Sequence, residues 1–224
     1  MLPWQLIDRA PTPDRRSELR LYRRGDEFSI QVDRQELMNS RQHGSEAEMA
    51  RLALEGLAAS QPRVLLGGLG MGFTLAAANA LLPPPATIEV AELVGAVLEW
   101  NRGPLGECAG RPVDDPRVRV IVADVRAVIG QARACYDAIL LDVDNGPEGL
   151  TQPSNAALYG AEGLAEIRRA LAPSGVLAVW SAGPDARFPK RLAAAGFAWK
   201  AHTVRARAGG KGARHTVWVA RAAR

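Results

Sequence analysis

Gly67-Gly68-Leu69-Gly70-Met71-Gly72 is the sharpest chemical motif in the chain. It follows the apolar run Val64-Leu65-Leu66 and precedes a helical stretch opening near Phe73-Thr74. Glycines at such a bend let the backbone turn tightly and approach a nucleoside closely. Glu92 lies 20 residues past Gly72, just after the run Ile88-Glu89-Val90. An acid there can accept from both ribose hydroxyls. A solvated strand end is the plainer alternative, and Glu89 is a competitor. Asp124 follows the run Val118 to Val122. It can accept from an adenine amino group while Val125 packs on the ring, or it can cap a helix starting near Arg126. The nucleoside-binding candidates are therefore Gly67, Gly68, Gly70, Gly72, Glu92, Asp124, Val125 and Asp142.

A second group follows the run Ala138 to Leu141, in Asp142-Val143-Asp144-Asn145-Gly146-Pro147. Carboxylates at a strand tip can hold a cationic amine or take its proton, which makes Asp142 and Asp144 the catalytic candidates. The alternative is turn chemistry within a loop. His43, Asn145 and Tyr159, with Asn155 beside them, are candidates for the substrate pocket. A lone loop histidine is more often structural or exposed, and Tyr159 fits a packed helix start equally well. Cys108 and Cys135 are isolated, so neither a metal site nor a disulfide framework is expected.

These residues need elements to position them. Glu18-Leu-Arg-Leu-Tyr22 and Phe28-Ser-Ile-Gln-Val32 alternate polar and apolar around Gly25-Asp26 and predict a β-hairpin. Ser45 and Glu48 have capping-box spacing, and Met49, Leu52, Ala53 and Leu57 recur at helical spacing, predicting a helix over about 45–59. From residue 62 short buried strands alternate with helices: strands at 64–66, 87–90, 118–122, 138–141 and 176–180, and helices at 163–171 and 188–195. A closing pair, 197–204 and 215–220, follows. This rhythm predicts an α/β fold with a Rossmann-like, seven-stranded, mainly parallel sheet, helices on both faces and an antiparallel last strand. The expected division is an N-terminal hairpin and lid over 1–50 and a nucleoside-binding domain over 51–224.

The 224 residues suit one domain of roughly 200 residues with a small appendage. No run of 18 apolar residues occurs and the N-terminus lacks a secretory pattern, so neither a membrane span nor export is expected. Two isolated cysteines suit a reducing cytoplasm. The net charge is +4, but only three of the 28 basic residues are lysines and the arginines are scattered. That pattern points to codon composition rather than to a nucleic acid partner. The basic stretch 205–214 has no interleaved aromatics for stacking on bases and reads as a solvated loop.

Together the hairpin, the helix carrying Glu48-Met49, the glycine motif, Glu92, Asp124, Tyr136-Asp137, Asp142 and Leu171-Ala-Pro-Ser-Gly-Val-Leu177 resemble the spermidine synthase family of polyamine aminopropyltransferases. The resemblance implies the S-adenosylmethionine methyltransferase fold and a sulfonium donor, S-adenosylmethionine or its decarboxylated form. It implies an amine acceptor and a homodimer. It places Glu92 on ribose, Asp124 on adenine and Asp142 toward the amine. The chain also departs from the family. Gly70 stands where the family has the aspartate that meets the amino group of the decarboxylated donor. The acidic loop carries its second carboxylate one residue early, at Asp144. Glu46-Ala47 replaces the family's Tyr-His. Losing the acid at position 70 removes an attraction for the decarboxylated donor and a repulsion against the intact one. The sequence therefore predicts methyl transfer to a small amine. Aminopropyl transfer and a non-catalytic nucleoside-binding protein are the alternatives. A nicotinamide dehydrogenase fits the glycine spacing poorly.

Overall fold

The computed structural model describes residues 2–143, 146–147, 157–207 and 211–222. Its centre is a seven-stranded sheet in the order β10-β11-β9-β8-β5-β6-β7. The strands are β5 (Arg63–Gly67), β6 (Thr87–Glu92), β7 (Val118–Val122), β8 (Tyr136–Leu141), β9 (Leu171–Ser181), β10 (Phe197–Arg207) and β11 (Lys211–Ala222). β5 to β9 pair in parallel, and β11 runs antiparallel between β9 and β10. This is the seven-stranded arrangement with an antiparallel last strand that the sequence predicts.

Both faces of the sheet are covered, and the strand residues are sorted by the period of two. Val64, Leu66, Ala138, Leu140, Val176 and Ala178 point to one core with α1 (Gly44–Leu54), α2 (Phe73–Leu81) and α3 (Gly95–Arg102). Leu65, Ile139, Leu141, Leu177 and Val179 point to the other, with α4 (Val125–Gln131), α5 (Ala161–Ala170) and α6 (Phe188–Ala194). Near-continuous apolar strands are what burial on both faces demands.

The N-terminal region is larger than a hairpin. The predicted pair is β2 (Glu18–Arg24) and β3 (Glu27–Val32), joined at Gly25, which takes φ +60°. Two further strands, β1 (Gln5–Pro11) and β4 (Gln35–Asn39), flank them in a four-stranded antiparallel sheet. Leu19, Leu21, Phe28 and Ile30 join the same apolar cluster as α1 to α3, so this sheet packs onto the larger body.

Helix α1 ends at Leu54, earlier than predicted, because Glu55 is extended and Gly56 takes φ +81°. The capping box is not formed. His43 occupies the cap position, and the Ser45 hydroxyl turns inward, donating to Glu46 Oε2 at 2.7 Å.

Order reverses at β5, whose neighbours β6 and β8 lead to opposite sides of the sheet. In open α/β sheets the crevice at the carboxyl ends of such strands is where ligands bind.

Candidate functional site

A cavity of about 680 Å³ opens at that switch point, within the range of about 300–1,000 Å³ usual for small-molecule sites. Gly68, Gly70, Glu92, Asp124, Val125 and Asp142 line its floor, and Ile30, Val32, Leu37 and Met38 of the N-terminal sheet close it from the opposite side. The structure thus brings six of the nucleoside-binding candidates onto one wall. Gly67 and Gly72 are buried behind it. Gly67 packs under Leu141 and Val125, and Gly72 starts α2 against Asn101 and Pro112.

Close approach explains the glycines. Gly68 takes φ +88°, and a Cβ there would lie 2.5 Å from the carbonyl oxygen of Asp142. The bend and the tip of β8 therefore touch backbone to backbone. Asn101 on α3 pins the bend, its side-chain amide donating to Gly70 O and Val97 O, both at 2.9 Å. Its neighbour Trp100 donates to Asp8 Oδ2 at 2.7 Å, tying β1 to α3 instead of facing the cavity.

Glu92 is buried at the end of β6. Its Oε2 accepts from Leu69 N–H at 2.9 Å and Oε1 from Val94 N–H at 2.8 Å. Burial raises its pKa, and the N–H groups of Val94, Leu69, Gly70 and Leu93 oppose that. The carboxylate also lines the cavity, where a ribose hydroxyl can reach it. The competitor Glu89 is engaged elsewhere, accepting from the Tyr136 hydroxyl at 2.6 Å. Asp124 does cap α4, accepting from Arg126 N–H at 2.8 Å, and it also lines the cavity. Both sequence readings of Asp124 fit this placement.

At the glycine end the cavity continues into a narrow cleft lined by Glu46, Gly70, Phe73, Thr74 and Asp142. Asp142 Oδ2 accepts from the Thr74 hydroxyl at 2.9 Å. Burial pushes Asp142 up to about 6 while the Thr74 bond opposes it. Burial, and then the charge of Asp142, push Glu46 up to about 7, with the Ser45 hydroxyl opposing. Two carboxylates in one narrow cleft cannot both ionise cheaply, so near neutral pH the pair tends to hold a proton.

Glu46 and Thr74 were missed as site residues in the sequence. The available signal for Glu46 was an acid standing where the resembling family has tyrosine. His43 does not reach the cleft wall. It stacks on Phe73 with ring centroids 4.1 Å apart. Tyr159 is fully buried in the second core, edge-on to Phe188, so its placement as a pocket-lining residue is corrected. Asp144, Asn145 and Asn155 lie outside the described residues. Among the described residues no group of histidine, cysteine, aspartate and glutamate has metal-site geometry, and no helix is long and apolar enough to cross a membrane.

Fold and site together define a class: a Rossmann-like α/β protein with a methyltransferase-type sheet and a cavity at its switch point. Within that class the likeness is to polyamine aminopropyltransferases and spermidine synthases. A polyamine aminopropyltransferase of Korarchaeum cryptofilum is 29% identical over 123 residues. The match covers 54% of this chain but only 36% of that relative, so the chain spans about a third of its length. Spermidine synthase from Thermotoga maritima superposes with a TM-score of 0.77 at 18% identity, over 97% of this chain and 72% of that one. Human methyltransferase-like protein 13, in complex with SAH, superposes with a TM-score of 0.55 at 22% identity over 80% of each chain. No family model matches the chain.

Proposed function

We propose that this protein is a transferase that binds an S-adenosyl sulfonium donor in the switch-point cavity and passes its aminopropyl group to an amine. One observation carries the choice of group: Glu46 and Asp142 face the cleft beside Gly70, where the tail of the donor would lie. The sequence reading favoured methyl transfer because position 70 lacks an acid. α1 brings Glu46 to the same end of the site and restores one. Two acids there repel the carboxylate of intact S-adenosylmethionine and welcome the ammonium of its decarboxylated form. A hydrogen bond to such a charged group is worth about 1.5–3 kcal/mol. The relatives named aminopropyltransferases support the same choice.

The bound donor supplies a sulfonium-activated carbon and a neutral thioether leaving group. The chain supplies the positioning. Glu92 holds ribose at the cavity floor, and Asp124 and Val125 hold the base. The N-terminal sheet covers the cavity from the side opposite the glycine bend, and Asp142 and Glu46 hold the ammonium groups. An acceptor amine is protonated at neutral pH and must lose a proton before it attacks. A carboxylate raised toward 7 is a far better base for that than one near 4. Holding nucleophile, carbon and sulfur in line supplies most of the rate.

Methyl transfer to an amine is the second reading, favoured by Gly70. Mass spectrometry of a mixture containing both donors and a panel of di- and polyamines separates the two. Aminopropyl transfer yields an aminopropylated amine and methylthioadenosine. Methylated amine with S-adenosylhomocysteine would overturn the proposal.

A further inference from the structure

Glu46 does not end at the cleft. Its Oε2 is hydrogen-bonded to the Ser45 hydroxyl at 2.7 Å, and Ser45 Oγ lies 2.9 Å from Nδ1 of His215 on β11. Ser45 is fully buried, while His215 is half-buried, edge-on to Trp180 at 4.7 Å between centroids. The three residues form a continuous hydrogen-bonded line leading away from the cleft, with a titratable group at each end and a hydroxyl between. We propose that Glu46, Ser45 and His215 are a proton relay that carries the proton shed by the acceptor amine from the carboxylate cleft to water. The inference rests on the reading of the cleft as an amine site.

The bookkeeping follows from a hydroxyl having one proton to give. With Glu46 ionised, Ser45 donates to it, so His215 must carry its proton on Nδ1 and donate to Ser45 Oγ. With Glu46 protonated by the amine, the acid can donate to Ser45 Oγ. Ser45 then donates to a bare Nδ1, and His215 carries its proton on Nε2, the ring having released its Nδ1 proton to water and taken one from water at Nε2. Passing one proton along this second arrangement leaves Glu46 ionised, Ser45 neutral and His215 doubly protonated. Loss of the Nε2 proton to water then restores the first arrangement. One proton leaves the amine and one reaches water, and every electron pair stays with its atom. Burial lowers the pKa of His215, which makes it quick to release what it receives.

Among the groups around Glu46, the Asp142 carboxylate across the cleft acts on it directly. On α1, Glu48 and Arg51 are paired at 2.6 Å. On β10, His202 acts on Glu48, and Lys200 acts on His202. Arg214 adjoins His215 on β11; β8, also packed on α1, carries Tyr136, bonded to Glu89, and Asp137, bonded to Arg63 N–H, while α2 and β9 carry no titratable side chain.

The test is nitrogen-15 NMR of the imidazole rings of the whole protein, with His215 assigned by its loss in His215→Gln. In the wild type the His215 tautomer changes from the Nε2–H to the Nδ1–H form as pH rises through the Glu46 transition near about 7. In Glu46→Gln and in Ser45→Ala it holds one form throughout, with melting temperature checked to show that both fold. A wild-type tautomer that does not respond to pH, or one that still switches in Glu46→Gln, overturns the relay. Turnover adds a second arm. If the wild type converts an amine, Ser45→Ala and His215→Gln lower kcat about tenfold or more, with KM little changed, and the deficit narrows as pH rises. Undiminished kcat in both overturns the relay. An enzyme that turns over no amine, yet shows the coupled tautomer, refutes the proposed reaction while leaving the relay standing.

Discussion

Replacing Glu46 by glutamine should stabilise the empty protein above neutral pH. In the folded state Glu46 rises from its ordinary 4.5 to about 7. A raised carboxyl pKa means that the folded state binds the proton more tightly than the unfolded state. That stability is fully present below the unfolded value and is lost as pH rises through the folded one. Each pH unit of displacement is worth about 1.4 kcal/mol. The full rise corresponds to about 3 kcal/mol, reduced to about 2 kcal/mol because the side chain is only partly withdrawn from solvent. Urea unfolding at pH 5 and at pH 8 reads this directly. His202 and His215 are both lowered and push the pH dependence the other way, but they are present in both proteins. The difference between wild type and Glu46→Gln is therefore the quantity to compare. The variant should exceed the wild type by less than about 1 kcal/mol at pH 5 and by about 2 kcal/mol at pH 8. A variant less stable than the wild type at pH 8 would refute the picture of two carboxylates crowded in one cleft.

Gly68→Ala forces a side chain into a left-handed conformation and against the Asp142 carbonyl. Strain of about 1–2 kcal/mol and overpacking of about 1–3 kcal/mol should together lower the urea-unfolding stability by about 2–5 kcal/mol. Glu92→Gln leaves one acceptor oxygen for the N–H groups of Leu69 and Val94. It should cost about 1–3 kcal/mol of stability and weaken methylthioadenosine binding by tenfold or more in calorimetry. Asn101→Ala strips the donor from the Gly70 carbonyl. A loss of about 1–3 kcal/mol is expected, with weaker methylthioadenosine binding. Unchanged affinity would show that the bend holds its shape unaided.

What could be read ahead of the structure was what depends on local backbone demands. The glycine bend announces itself because a left-handed turn after a buried strand leaves few other residue choices. Glu92 and Asp124 follow because a strand tip fixes which residues reach the crevice. β2 and β3 show alternation, but β1 is exposed at almost every position and so lacks the apolar rhythm that marks a strand. The acidic cleft and the line to His215 were invisible for another reason. Glu46 meets Asp142 across 96 residues, and Ser45 meets a histidine 170 residues away. The Ser45-to-Glu48 spacing instead suggested a local capping box, but the hydroxyl donates to its neighbour Glu46 and meets His215 on its other side. Tyr159 misled in the same way, since a helix start beside an acidic loop can face either the pocket or the core. Here the edge of Phe188 holds it in the core.

The central claim is that an adenosyl donor lies at the glycine bend with its tail against two acids. Calorimetric titration of the wild-type protein with decarboxylated and intact S-adenosylmethionine, at one pH near neutrality, tests it most directly. One charge-assisted contact predicts that the decarboxylated donor binds roughly 10- to 100-fold more tightly. Equal affinity, or tighter binding of the intact donor, would contradict the account.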